Sequence, residues 1–220
     1  KALGVAALEL FSDLLNQAVV SRKDAHDPAF DPTSYEQGPL TDDSSAVYSV
    51  YDALKCQVRR SAEQIIPADP LQMSAVLDVF GKYAPKLFRR LEMFVLSKHP
   101  AAASDRARTL LLDGELLEAS WCKHEYASLA LAWFPSLTPP DQQTVLRQAD
   151  AIARRYMDGW KARVEERETR PPNAVEVRAF SAHVLRDALW YWRAALPADR
   201  QAAIDAIVAE FGDPEAWRNT

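Results

Sequence analysis

Apolar residues recur at helical spacing along most of this chain. Leu3, Ala7, Leu10, Leu14 and Ala18 fall on one stripe and predict a helix over residues 2–21. Val47, Tyr51, Leu54, Val58, Ala62 and Ile65 repeat the pattern over 45–66, with Asp43 or Ser44 as N-cap and Pro67 as the stop. Asp69-Pro70 then opens a helix to about Lys82, which Ala84 to Lys98 continues through Leu87, Leu91, Phe94 and Val95. Ser104 caps the next, which carries Leu110, Leu111 and Leu117 past an internal Gly114, and a further helix covers 123–134. Thr138-Pro139-Pro140-Asp141 supplies an N-cap, a first-turn proline and a first-turn acid for a long helix with Val145, Ala149, Ile152, Tyr156 and Trp160 inward, ended by Pro171-Pro172. Asn173 with Glu176 opens the helix bearing Phe180, Val184, Ala188 and Trp192. Pro197 opens the last, with Ile204, Ile207, Val208 and Phe211, which closes at Gly212.

Sustained apolar/polar alternation, Asn-Gly or Asp-Gly hairpin turns and β-branched clusters are all missing, so the pattern predicts about nine helices and no sheet. Residues 22–43 break the periodicity. They carry Pro28, Pro32 and Pro39 among six acids, and read as an acidic ordered loop or linker between an N-terminal helix (1–21) and a helical-repeat domain (44–220).

A repeat emerges at an offset of 59 residues, which lays His124 on His183, Trp133 on Trp192 and Leu137 on Leu196. After a one-residue slip, Pro139, Asp141 and Gln143 fall on Pro197, Asp199 and Gln201. The shared unit is a helix ending in a bulky aromatic, a proline-defined corner and an antiparallel partner helix. Stacked, such pairs make a short α-solenoid of the HEAT or TPR kind, which is the expected architecture.

Composition narrows the function classes. With 220 residues, 48% of them apolar, the chain can bury a core without disulfides, and two cysteines, Cys56 and Cys122, suit a reducing compartment. Neither a signal-peptide pattern nor an uncharged run near the roughly 20 residues of a membrane span occurs, so a cytoplasmic location is expected, with no membrane partner. The chain starts at Lys1 directly in an apolar helical pattern, as a module cut from a longer protein would.

A net charge of −5 argues against general nucleic-acid binding. Seven basic residues between Arg147 and Arg170 alternate with acids, as on a solvated helix face, whereas Lys82, Lys86, Arg89, Arg90 and Lys98 form a cleaner basic patch.

Candidate chemistry is sparse. The six glycines lie at least 33 residues apart, which removes both the P-loop and the dinucleotide fingerprint, each of which needs close glycines. His124-Glu125 begins like a zincin helix, but the position of the second zinc ligand is Ser128. Cys122 and His124 stand two apart and point to different faces, so they read as a buried thiol and a packing histidine; no cofactor or metal is implied. Trp190, Tyr191 and Trp192 cannot all face one core, because neighbours on a helix diverge by about 100°, so at least one ring is expected at a groove or partner surface. Trp121, Trp133 and Trp160 lie on apolar stripes and are expected in the core, and Trp217 follows in the tail.

The stretch Leu110–Leu137, with His124-Glu125-Tyr126, Leu129, Phe134-Pro135-Ser136-Leu137 and then Asp141-Gln142-Gln143, resembles the helical-repeat regions of large bacterial STAND-type, NACHT-like NTPases and related antiviral defence proteins. The resemblance implies a sensor or scaffold arm that binds a trigger protein, and carries over no nucleotide-binding residue. The sequence thus points to a non-catalytic protein-interaction module with a partner surface at Trp190, Tyr191, Lys86, Arg89 and Arg90. A helical bundle with a small-molecule site lined by tryptophans and His124 or His183 is the alternative.

Overall fold

A computed structural model describes residues 4–22, 27, 30–36, 38–40, 49–99 and 102–213. Among these the fold is all-α: ten α-helices, several short 3₁₀ turns and no strand. The helices are α1 (Gly4–Val20), α2 (Val50–Ala68), α3 (Met73–Gly81), α4 (Lys86–Lys98), α5 (Ser104–Leu111), α6 (Gly114–Glu118), α7 (Lys123–Trp133), α8 (Pro139–Glu168), α9 (Ala174–Leu189) and α10 (Ala198–Phe211). No described helix is long and apolar enough to cross a membrane.

The count exceeds nine because the helix expected to run past Gly114 is two. Asp113 accepts a hydrogen bond from the Glu115 amide at 2.9 Å, which starts α6 afresh at Gly114. A second break falls before α4. There Lys82–Pro85 interrupts the run, and the amides of Lys86 and Leu87 donate to Asp31 Oδ2 (2.7 Å) and Thr33 Oγ1 (3.2 Å), caps supplied from 55 and 54 residues away. Helix α2 begins at Val50, where Ser49 Oγ accepts from the Asp52 amide at 3.1 Å and donates to the Asp52 carboxylate at 2.7 Å. The expected caps Asp43 and Ser44 lie outside the described residues. Pro67 stands in the last turn of α2, which closes one residue later.

The chain divides into two compact units, Lys1–Ala107 with Ser120–Leu129, and Arg108–Ala119 with Ala130–Thr220. In the first, α1 packs on α2 and α3, and α4 on α3 and α2. Leu8, Leu15, Val58, Ala62, Val76, Leu87 and Leu91 are fully buried there. Helix α1 and the described residues between it and α2 thus belong to the same unit as α2–α4. In the second unit α9 lies between α8 and α10, and α6 packs on α8.

One ion pair anchors the loop. Arg90 and Glu125 are 1% and 3% exposed and meet through Nε–Oε2 at 2.8 Å and Nη2–Oε1 at 3.0 Å. Arg90 also donates to the carbonyls of Glu36 (2.6 Å) and Gly38, and Glu125 accepts from the Leu40 amide (3.0 Å). Arg59 closes the set on the Leu40 carbonyl. Each guanidinium edge and carboxylate oxygen of the pair thus finds a partner, the condition under which buried charge is tolerated.

Removing either partner leaves an uncompensated buried charge. Glu125→Leu is expected to destabilise the protein by about 3–5 kcal/mol in urea titration. Arg90→Met combined with Glu125→Leu should recover part of that loss but not all, because the amide and carbonyls of 36–40 stay unpaired.

Candidate functional site

The sequence-derived basic patch does not form one surface. Arg90 is buried by the ion pair, which corrects its assignment to a partner face. Its position on α4 explains why: Leu87, Arg90, Leu91 and Phe94 share one helical stripe, so the charge points inward. Lys82 pairs with Glu9, Arg89 with Glu92 at 2.7 Å, and the Lys86 ammonium bonds Ser34 Oγ (3.1 Å) above the Trp121 ring. Lys98 sits over Phe94.

The aromatic triplet divides. Trp192 is buried at a kink (φ −128°, ψ 20°), donates its indole N–H to the Ala188 carbonyl at 3.1 Å and packs its ring 5.1 Å from that of Phe134. Trp190, covered by Arg193 at 3.9 Å, and Tyr191 remain half-buried. Trp133 is buried as expected, but Trp121 and Trp160 are only half-buried, the latter stacked on Phe180 at 4.6 Å. Tyr156, expected inward, is 46% exposed; Met157 takes its place, because the stripe drifts over a 30-residue helix. Trp217 lies outside the described residues.

His183 accepts at Nδ1 from Arg186 (2.6 Å) and faces Asp187 through Nε2 (3.2 Å), a surface cluster in which Arg186 also holds the Phe211 and Gly212 carbonyls at the end of α10. His124 is half-buried beside a fully buried Cys122. Among the described residues no group of three potential ligands could hold a metal.

The repeat is real in the backbone of the second unit, and without the slip. Leu137 N donates to Phe134 O (3.1 Å) and Leu196 N to Arg193 O (3.0 Å); Gln142 N donates to Thr138 O and Gln201 N to Pro197 O, both at 2.9 Å. Thr138 and Pro197 occupy the same N-cap position with φ/ψ of −63°/152° and −56°/150°. The register is set by glutamine: Gln142 Nε2 reaches back to Leu137 O (3.2 Å) and Gln201 Nε2 to Leu196 O (2.8 Å). Gln142, not Gln143, is therefore the mate of Gln201, and Asp141 answers to Arg200. Proline misled the alignment because it fits both at the cap and at the first helical position.

Each repeat also carries a cleft. One, of about 600 Å³, lies between α6 and α8; the other, of about 620 Å³, lies between α9 and α10. Asp113, Glu115, Glu118, Gln148, Ala151 and Ile152 of the first fall, at the offset of 59, on Pro172, Ala174, Val177, Ile207, Glu210 and Phe211 of the second. Polar links cross the first: Gln148 donates to Leu112 O at 2.9 Å, and Arg155 pairs with Glu118. In the second those positions are Ile207 and Val177, which form no polar link, so its lining is the more apolar, although an ion pair spans it as well. Phe211 is 37% exposed and neighbouring Val175 77%, with one ion pair, Arg178–Glu210 at 2.6 Å, on the rim.

A third cavity, of about 840 Å³ in the first unit, is lined by Arg22, Tyr51, Lys55, Cys56, Arg59 and Arg90, among others. Tyr51 lies under the Arg22 and Lys55 cations, and Glu36 joins those two cations at 3.4 and 3.3 Å. Burial, with the Glu36 carboxylate adding to it, drives the Tyr51 phenol far above its ordinary range. Because these cations are already held by carboxylates or carbonyls, the cavity is an ion-paired edge of the core, not an open anion seat. Neither it nor the two clefts are lined by Trp or His among the described residues, unlike the site the alternative reading expected.

No protein-family model, curated protein or solved structure matches this chain. The resemblance of Leu110–Leu137 to NTPase repeat arms rests on its residues alone.

The wall of the apolar cleft starts at a capping box. Asn173 Oδ1 accepts from the amides of Val175 and Glu176, and Glu176 accepts from Asn173 N at 2.8 Å and from Arg170. Arg170, then the Asn173 amide, holds the Glu176 carboxyl down from 4.5 to about 2. A depressed folded value means that the carboxylate stabilises the first turn of α9 above pH 4.5, and that this contribution disappears as pH falls through about 2. Amide protection at Val175–Val177 should decline over that window, and Glu176→Gln should remove the pH-dependent step.

Proposed function

We propose that this chain is a helical-repeat interaction module of a cytoplasmic protein, with stacked helix pairs serving as a scaffold and a protein segment as the ligand. The observation that supports this reading is the contrast between the two equivalent clefts of the second unit. The same backbone frame carries polar residues at Gln148 and Glu118 in one cleft and apolar ones at Ile207 and Val177 in the other. Change confined to the rim of a repeated scaffold is how repeat proteins set specificity without altering their stacking. An apolar floor with a charged rim is the usual form of a groove that receives an amphipathic helix. The sensor-arm role implied by the resemblance at His124-Glu125-Tyr126 is consistent with this proposal, and catalysis then belongs to other parts of a larger protein.

Panning a display library of helical peptides against the chain tests the proposal. Enriched peptides are expected to bind the unmodified protein and to lose at least about tenfold in affinity, about 1.4 kcal/mol, to Val177→Glu. Failure of any peptide to enrich, or equal binding to the variant, would overturn it.

A further inference from the structure

Helix α10 ends at Phe211, and the carbonyls of a last helical turn have no partners within their own helix. Arg186 of α9 supplies two of them with a donor: its Nη1 reaches Gly212 O at 2.8 Å and Phe211 O at 3.3 Å. The Arg186 side chain is only 7% exposed, so this guanidinium is a buried latch on the end of α10. Its other edge is held on α9. Nη2 meets His183 Nδ1 at 2.6 Å, and Nε donates to Asp187 Oδ1 at 3.3 Å.

A guanidinium has donors and no acceptor, so Nδ1 of His183 carries the lone pair, and the ring proton of the neutral imidazole sits on Nε2, towards Asp187 Oδ2 at 3.2 Å. The contact exists in one protonation state only. An imidazolium bears N–H on both nitrogens, which sets donor against donor and cation against cation at Arg186. It also competes with Arg186 for Asp187, the carboxylate that both contact. Imidazole is the side chain whose ordinary change of charge falls between about pH 5 and about pH 8.

The charged groups that meet His183 among the described residues are Arg186 and Asp187, both on α9. Helices α8 and α10 and the turn after α9, all packed on α9, commit their charges elsewhere. Asp150 of α8 is held by Arg200, Glu210 of α10 by Arg178, and Arg193 of the turn pairs with Asp205. Asp213, one residue past Gly212, has a partner of its own. The latch is also peculiar to the second repeat. At the offset of 59, His183 falls on His124, but Arg186 and Asp187 fall on Ala127 and Ser128, and Gly212 falls on Ala153, inside the uninterrupted α8. Where the helix does not end, its carbonyls need no holding, and the arginine is missing.

We propose that His183 is a proton-operated release for this latch. Neutral, it seats Arg186 on the end of α10; protonated, it unseats Arg186 and frees the last turn of that helix. Phe211, whose carbonyl is held, also lines the α9–α10 cleft, so the end of the cleft wall loosens with it. The release depends on the latch alone and on no occupant of the cleft.

An NMR titration of the full chain between about pH 8 and about pH 5 tests this by following the His183 ring and the Gly212 amide, which closes the last hydrogen bond of α10 on Val208 O. The Gly212 amide shift is expected to move with the midpoint of the His183 ring. Its exchange protection, corrected for the intrinsic rate at each pH, should fall about tenfold across that step, in line with the loss of one charge-assisted hydrogen bond. His183→Gln, at a position whose side chain is 57% exposed, keeps an acceptor but takes up no proton, and should hold its protection throughout. His183→Asn repeats the comparison, should the first variant unfold. A Gly212 amide that stays flat while His183 titrates, or a step that persists without the imidazole and so belongs to another group, would overturn the proposal.

Discussion

Between α1 and α2 the described loop brings few apolar side chains to the core, with only Leu40 and Thr33 buried, so hydrophobic burial cannot hold it in place. A charge does so instead. Arg90, at the centre of α4, distributes its donors between Glu125 and two loop carbonyls, while Glu125 holds a loop amide. Withdrawing two ions from water is costly, and that cost is offset only while every donor and acceptor is matched. The position of the loop, of Asp31 and Thr33 that cap α4, and of the Tyr51 cavity all follow from that match.

The second unit is governed by a different economy of parts. Its two corners reuse one device, a side-chain amide that folds back over a 3₁₀ turn to satisfy carbonyls left unpaired where a helix ends. Bidentate arginines then tie neighbouring elements together, Arg108 to Asp141 and Arg200 to Asp150. Hydrogen bonds from Arg108 first, then Thr138, lower the Asp141 carboxyl from its ordinary value. Fixed corners free the far end of each helix pair to vary, and that is where the two clefts differ.

Much of this was legible in the sequence, and the failures have physical causes. Helical periodicity and capping residues identify the all-α class, and Asn173 with Glu176 forms the box its spacing predicts. The break at Gly114 is not legible in the sequence, because Asp113 reads as an ordinary helix residue until its side chain is seen to cap. The buried ion pair leaves a trace in the sequence: Arg90 lies on the stripe of Leu87, Leu91 and Phe94, and Glu125 on that of Cys122, Tyr126 and Leu129, so opposite charges sit at two core-facing positions. The apolar cleft was hidden for the converse reason. Ile207 and Phe211 continue a core-like stripe, and only packing tells which part of a stripe is covered. Caps from 54 and 55 residues away, such as Thr33 and Asp31 on α4, have no local signature.

The boundary between the units is threaded, not cut. Residues 120–129 belong with 1–107 although 108–119 have already joined the other unit. A ribosome therefore releases every helix from α1 to α4 before the carboxylate that neutralises Arg90 exists. Until Glu125 emerges, the nascent first unit holds a guanidinium at a core-facing position with no counter-charge, which disfavours early closure around it. The first unit is thus complete only when residues 120–129 have been made, and no single cut leaves each unit whole in its own piece.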